Sequence, residues 1–207
     1  MKSSLKIKIA LFGILFLSAY SMATAKKQGA GNIKTADIDV SRSYIEWTGK
    51  KILGQHSGKV FLESGTFDLN KGLLAGGSFT IDMTSIKDTD LTDKDYNKKL
   101  VGHLKSADFF NVVGFPTATL KVTKVLKLTN KANSYNLTCD LTIKGITKSI
   151  TFPATFKAAG KGFEGNATLT IDRTRWDVRY GSSSFFEGLG DKAILNDVEL
   201  KVHVFSK

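Results

Sequence analysis

Few residues of this 207-residue chain have the type and spacing that catalysis or metal binding requires. Its one cysteine, Cys139, excludes an internal disulfide and any site built from several thiolates. The three histidines, His56, His103 and His203, lie far apart, and no pair of them has the spacing of metal ligands. Gly29-Ala30-Gly31 follows no predicted strand, which argues against a phosphate-binding loop, and no nucleophile elbow is present. We therefore predict no catalytic residue, no metal and no cofactor, with Cys139 as a small buried hydrophobe rather than a reactive thiol.

A row of charged residues is the one local pattern that could recognise a ligand. The apolar side of the segment 163–171 continues in register into Arg173, Arg175, Asp177 and Arg179. Charged side chains cannot line a dry interior. We favour a bulge that changes the register and turns Trp176, Val178 and Tyr180 inward. The alternative is that the arginines emerge at a rim and meet an anionic headgroup.

The elements that would hold such residues are β-strands. Apolar and polar residues alternate, so that each segment has one buried and one solvated face, as in antiparallel sheets. The predicted strands are residues 44–48, 59–64, 66–69, 78–83, 117–128, 135–144, 150–157, 163–171 and 198–204. Short turn-rich links join several of them. The sequence therefore predicts an all-β, antiparallel barrel or sandwich.

One short helix interrupts this pattern. Thr92-Asp93-Lys94-Asp95 resembles a capping box, and Tyr96, Leu100, His103 and Leu104 then recur at helical spacing. We predict a helix over residues 93–104. Its apolar face has to cover something, and the open end of a barrel is suitable.

Aromatic residues are frequent on the predicted strands. Eighteen of the 21 lie beyond the first 25 residues. Each one alone is most simply a core residue. A closed barrel of about eight strands also has room for one small ligand, so a lumen with an aromatic lining would suit an apolar guest.

The N-terminus has the three parts of a secretory signal peptide. Three lysines precede an apolar run, and Ala23-Thr24-Ala25 supplies small residues for cleavage. The apolar run is shorter than the roughly 20 residues of a membrane-spanning helix, which argues against an uncleaved anchor. We predict a signal peptide at residues 1–25, a flexible leader at 26–36 and one domain at 37–207.

The net charge of +11, or +8 without the signal peptide, needs an explanation. Export and the scattered positions of the lysines argue against nucleic acid as a partner. The charge then indicates a solvated surface or transient contact with anionic membranes.

Nine short motifs follow one another in a familiar order. They are SYIEWTGK (43–50), GQHSG (54–58), LAGG (74–77), IDM (81–83), HLKS (103–106), DFF (108–110), FPTA (115–118), LTIKGITK (141–148) and DRTRW (172–176). Together they resemble the YceI-like family over nearly all of the chain after the leader. One departure is Asp177, which stands where the family often has glycine after the aromatic residue.

The resemblance implies a lipocalin-like antiparallel β-barrel with one inserted helix, located in the periplasm unless it is secreted further. It also implies a lumen that binds polyisoprenoid or similar long-chain lipids, without catalytic residues. Carried over by position, the ligand-binding candidates are Trp47, Phe61, Phe79, Ile81, Leu104, Phe109, Phe110, Phe115, Tyr135, Leu137, Phe152, Phe156 and Trp176. His56 and His103 lie in matched motifs and either donate to a lipid head or only satisfy neighbouring backbone.

Three functions stay open from the sequence. The first is a lipid carrier or store, the second is an enzyme such as a hydrolase that uses His56 or His103, and the third is a structural module with a filled barrel. A homodimer is compatible with the sequence if a strand has an unpaired edge.

Overall fold

The computed structural model describes residues 33–207 and consists of nine strands, one helix and two 3₁₀ turns. The strands are β1 (Ile33–Asp37), β2 (Tyr44–Lys51), β3 (Gln55–Asn70), β4 (Leu73–Asp88), β5 (Thr117–Lys127), β6 (Ser134–Ile143), β7 (Ile146–Ala159), β8 (Gly162–Asp172) and β9 (Ile194–Phe205). Helix α1 (Lys94–Lys105) lies between β4 and β5, and the 3₁₀ turns are Arg173–Trp176 and Gly190–Lys192.

The strands form an antiparallel barrel that closes on itself. Neighbours follow the order β3-β2-β9-β8-β7-β6-β5-β4, and β4 then pairs with β3. β1 pairs with residues 66–70 of β3, beyond the part of β3 that pairs with β2. The prediction of an antiparallel barrel with one inserted helix is confirmed.

Strand β3 is longer and more irregular than predicted. The segments 59–64 and 66–69 belong to one strand, whose pairing with β4 shifts register between Leu62 and Ser64. The shift explains why Leu62 and Phe67 are both buried although they are five positions apart, an odd spacing that would put them on opposite faces of a regular strand. It follows that β3 changes the parity of its inward side chains halfway along.

Helix α1 begins one residue later than the capping box implies. Asp93, not Thr92, is the N-cap, and its carboxylate accepts from the backbone N–H groups of Asp95 and Tyr96. Tyr96 is exposed, contrary to the predicted apolar face. Leu104 is buried against the barrel interior, so α1 does cover one end of it.

The N-terminal boundary of the domain also differs from the sequence prediction. Residues 33–36, assigned to the flexible leader, belong to β1, because their backbone pairs with Phe67–Asn70. The predicted signal peptide and the first part of the leader lie outside the described residues. Within residues 33–207, no helix has the length and apolar character needed to cross a membrane.

The register change after β8 comes from a 3₁₀ turn and not from a bulge. The strand ends at Asp172, the turn Arg173–Trp176 follows, and Asp177 adopts a left-handed conformation with φ of 59°. Trp176 and Val178 face inward as predicted, whereas Tyr180 is partly exposed. Arg173 is buried too, against the expectation for this row, because backbone carbonyls accept from its guanidinium.

The ladder between β7 and β8 is incomplete. It joins Ala154–Ala159 to residues 162–167, so residues 146–153 of β7 pair only with β6. The 3₁₀ turn Arg173–Trp176 contacts β7 and β9 at this opening.

The homodimer that an unpaired strand edge would allow stays a prediction.

Candidate functional site

The barrel interior is hollow, and its larger cavity lies beneath α1. This outer chamber has a volume of about 560 Å³, which is within the range of small-molecule sites. Its wall comes from β2, β3, β4, β5, β6, β8 and β9, from α1 and from the 3₁₀ turn after β8. Most of its lining is apolar, including Trp47, Val60, Met83, Leu104, Ile143 and Trp176.

A smaller inner chamber continues the cavity deeper into the barrel. Its volume is about 120 Å³, and its lining includes Phe67, Phe79 and Phe156. Four residues line both chambers, namely Ile45, Ile81, Leu141 and Leu200. The two chambers therefore meet at a shared ring of aliphatic side chains.

The outer chamber reaches solvent at a mouth beside the β2–β3 turn. Lys50, Lys51 and Leu53 line it on one side, and Lys192 lines it on the other. All four are exposed, and the backbone N–H of Ile52 donates to the carbonyl of Ala193 at 3.2 Å, which joins the two sides. Exposed Asp191 lines the chamber beside Lys192, so with three lysines the mouth is net basic, and Leu53 is the apolar side chain at its tip.

Twelve of the fifteen predicted site residues line a chamber. Those in the outer chamber are Trp47, His56, Ile81, His103, Leu104, Phe109, Phe110 and Trp176. Those in the inner chamber are Phe79, Ile81, Leu137, Phe152 and Phe156. Their contact with a ligand stays a prediction.

The other three predicted residues do not line either chamber. Phe61 lies between the inward residues of β3, so it faces outward with Lys87 Nζ 5.0 Å from its ring centre. Phe115 packs over the β6–β7 turn, and Tyr135 is buried in the core beside Phe156. These three assignments to a chamber wall are wrong in this structure.

Other lining residues were not predicted, although the sequence held a signal for some. Ile45 is two residues before Trp47 on β2 and shares its face, so strand alternation could have identified it. Phe67 lies beyond the register shift in β3, which no periodic pattern reveals. Val178 and Tyr180 of the outer chamber were expected to face inward but were not assigned to the ligand.

Arg173 lines the outer chamber, where backbone carbonyls hold its guanidinium, and its contact with a lipid head stays a prediction. Its guanidinium donates to the backbone carbonyls of Val178 at 2.6 Å, Ile194 at 3.1 Å and Leu195 at 3.2 Å. Burial lowers the pKa of Arg173, and the charge of Asp172 opposes that effect. The buried charge is therefore compensated mainly by backbone dipoles.

Arg175 and Arg179 lie outside the lumen. Arg179 Nε is 2.9 Å from Asp177 Oδ1 at the surface, and Arg175 makes one long bond of 3.4 Å to the carbonyl of Ser149. Contact of either arginine with a lipid head stays a prediction.

The two histidines of the chamber have different surroundings. His56 Nδ1 lies 3.1 Å from Asp90 Oδ2, so its partner is a carboxylate and not backbone. The His103 ring packs edge-on against Tyr180 at 4.4 Å and Phe109 at 5.6 Å between ring centres. His103 thus completes an aromatic wall under α1.

Two carboxylates and the cysteine have perturbed pKa values. Burial raises the pKa of Asp88, and the nearby Asp90 raises it further. Burial opposes the charge of Asp90, but hydrogen bonds from the Ser57 N–H and from His56 hold the pKa of Asp90 below its ordinary value. Burial raises the pKa of Cys139 to about 12, so this thiol is protonated at neutral pH and is not a nucleophile there.

With a closed antiparallel barrel, a hollow apolar interior and a covering helix, the protein belongs to the class of helix-covered β-barrels. The chain belongs to the YceI-like domain family, whose model matches residues 37–205.

Curated relatives match part of the chain. A UPF0312 protein of Pseudomonas paraeruginosa is 36% identical over 116 residues, which is 51% of this chain and 54% of that protein. Protein YceI of Escherichia coli is 37% identical over 97 residues, or 47% of this chain and 44% of that protein. The aligned part therefore spans about half the length of these relatives.

Solved structures match the fold over more of the chain. BcnA of Burkholderia cenocepacia superposes with a TM-score of 0.64 at 24% identity and covers 82% of this chain and 99% of its own. A polyisoprenoid binding domain from Saccharophagus degradans, implicated in plant cell wall breakdown, gives a TM-score of 0.61 at 13% identity. It covers 84% of this chain and 99% of its own. At these identities the likeness shows the fold alone.

Proposed function

We propose that the protein binds one long-chain amphiphilic lipid, polyisoprenoid or fatty-acid-like, in the joined chambers, for transport or storage. The observation that carries the proposal is the pair of adjacent apolar chambers, of about 560 Å³ and about 120 Å³, the larger of which opens at a basic mouth. Such a shape suits a long tail in the interior and a polar head at the entrance. The Saccharophagus domain, described as polyisoprenoid binding, supports the same class of ligand.

Tail burial should dominate the binding energy. Each buried methylene contributes roughly 0.8 kcal/mol, and an exposed ion pair contributes about 0–1 kcal/mol. Because about 1.4 kcal/mol is tenfold in affinity, each added methylene should tighten binding up to about fourfold until the cavity is full. Chain length should therefore matter more than headgroup identity.

Binding, rather than turnover, is the function that the lining favours. The outer chamber's lining, as far as the structure describes it, holds no serine or cysteine nucleophile beside His56 or His103. A filled structural barrel fits less well, because the cavity is large and reaches exposed residues. These observations favour a binding protein over a hydrolase.

Brominated fatty acids test the proposal directly, because both tryptophans of the chain, Trp47 and Trp176, line the outer chamber. We expect saturable quenching of tryptophan emission, with affinity that rises with tail length and changes less when an alcohol replaces the acid. The unbrominated acid of equal length should compete and restore emission. A folded protein whose emission no brominated lipid quenches would contradict the proposal.

We further propose that the mouth contacts anionic membranes transiently after export to the periplasm. Ile52 and Leu53 are 54% and 70% exposed there, beside Lys50, Lys51 and Lys192. Leu53→Glu should reduce co-sedimentation with phosphatidylglycerol vesicles several-fold. Val113→Glu is the control, because Val113 is exposed but does not line the chambers. Equal loss in both variants, or none in Leu53→Glu, would contradict this role of the mouth.

A further inference from the structure

Three side chains with metal-binding atoms meet at the edge of the outer chamber. His56 lies on β3, Asp88 ends β4, and Asp90 lies in the loop that leads to α1. One ring nitrogen of His56 and one carboxylate oxygen from each aspartate all lie within 4.8 Å of one another. His56 Nδ1 and Asp90 Oδ2 are 3.1 Å apart, close to the separation of two ligands on one ion.

Asp88 has a buried oxygen with no partner within residues 33–207. The residue is 7% exposed, and Oδ1 accepts from the backbone N–H of Leu91 at 2.9 Å and from Asn97 Nδ2 at 3.0 Å. Oδ2 is buried and receives no hydrogen bond there. A buried carboxylate oxygen without a donor is costly, and the second aspartate nearby adds negative charge. A bound cation would pair with the free oxygen of Asp88 and would offset the negative charge of the two aspartates.

We propose that His56, Asp88 and Asp90 form a binding site for one divalent first-row transition metal ion, with Zn²⁺ as the best-suited probe. Imidazole and carboxylate are ligands that Zn²⁺ accepts, and two carboxylates neutralise its charge. The side chains of His56 and Asp90 are 26% and 35% exposed, so water can complete the coordination on the solvent side. Small side-chain movements suffice to bring three atoms within 4.8 Å onto one ion.

The ion would connect the barrel to its covering helix. Asn97 of α1 donates to Asp88 Oδ1, to the Asp88 carbonyl at 3.3 Å and to the Leu91 carbonyl at 3.2 Å. It therefore holds the Asp88 carboxylate in place from α1, as outer partners of metal ligands do. The same helix supplies Leu100, His103 and Leu104 to the chamber wall, so the ion would also steady that wall.

Isothermal titration with ZnCl₂ tests the site, on chelator-treated protein without a polyhistidine tag. We expect one Zn²⁺ per chain, with loss of that binding in His56→Ala and Asp88→Asn. Asn97→Ala should weaken it by about 10- to 100-fold. His203→Ala is the matched control and should bind like the wild type, because His203 contacts Asn166 on another part of the barrel.

Thermal unfolding distinguishes metal binding by Asp88 from a purely structural role of its side chain. Asn at position 88 keeps the acceptor for Leu91 and Asn97, so metal-free Asp88→Asn should melt no lower than metal-free wild type. Zn²⁺ should raise the melting temperature of the wild type and not that of the variant. If Asp88→Asn fails to fold, Asp90→Asn, at a more exposed position, replaces it in both measurements.

Two results would overturn the site. One is the absence of stoichiometric Zn²⁺ binding to the wild type, and the other is equal binding by the wild type and His56→Ala. Both would leave the lipid proposal intact, because tryptophan quenching by brominated lipids does not depend on the ion.

Discussion

Phe79→Arg is expected to abolish uptake of long-chain lipids. Phe79 lines the inner chamber, and its ring meets that of Phe67 edge-on with 5.4 Å between centres. A guanidinium at this position would have to lose its hydration against an apolar wall, or draw water into the cavity. Either result removes the dry space that the tail occupies, so brominated-lipid quenching should fall below detection.

Phe61→Arg is the matched control for that experiment. Phe61 lies on the neighbouring strand β3 but faces outward, where a charged head reaches solvent. Circular dichroism should show both variants folded, and Phe61→Arg should bind lipid like the wild type. Retained binding by a folded Phe79→Arg would contradict the chamber as the lipid site.

A second variant keeps the test valid if Phe79→Arg does not fold. Ala118 is buried on β5 and lines the outer chamber. Ala118→Phe adds a ring into the cavity without a charge. We expect it to weaken the longest-chain lipids more than short ones, because it shortens the usable space.

Arg173→Met is expected to cause the largest loss of stability. Three carbonyls, those of Val178, Ile194 and Leu195, would lose their donor inside the protein. An unsatisfied buried polar group costs about 1–3 kcal/mol, and only the bond to Val178 is fully buried, so we expect a decrease of about 2–3 kcal/mol in the free energy of unfolding. For a domain of this size, that lowers the melting temperature by about 4–12 °C.

Arg175→Met provides the comparison, two residues away in the same 3₁₀ turn. Arg175 makes one long bond and lies over the Trp176 ring, with its Cζ atom 5.3 Å from the ring centre. Loss of these contacts should cost less than about 1 kcal/mol. Equal stability of the two variants in urea unfolding would show that Arg173 does not organise the turn.

The strands were predictable because one face of each is buried. The alternation at Tyr135, Leu137, Cys139 and Leu141 directly reports which side of β6 meets the interior. Phe61, which was placed in the chamber wall from the family resemblance, shows what alternation alone does not supply. Two inward rows of opposite parity share β3, and the register shift that joins them depends on the pairing with β4, which no local pattern encodes.

The candidate site was predictable only in its apolar part. The reasoning that charged residues avoid a dry interior failed at Arg173, because it did not count the backbone carbonyls of Val178, Ile194 and Leu195, which accept from the guanidinium. The spacing search for metal ligands also could not find His56, Asp88 and Asp90. Their proximity comes from the pairing of β3 with β4, where Gly58 lies opposite Asp88.

The central claim is that the hollow barrel holds the tail of one long lipid. Native mass spectrometry of the protein, purified without detergent from its own cells, tests it most directly. We predict a population heavier than the bare chain by the mass of a single long-chain lipid, and organic extraction should release that lipid for identification. Folded protein that shows only the mass of the bare chain, even after incubation with polyisoprenols and long fatty acids, would contradict the claim.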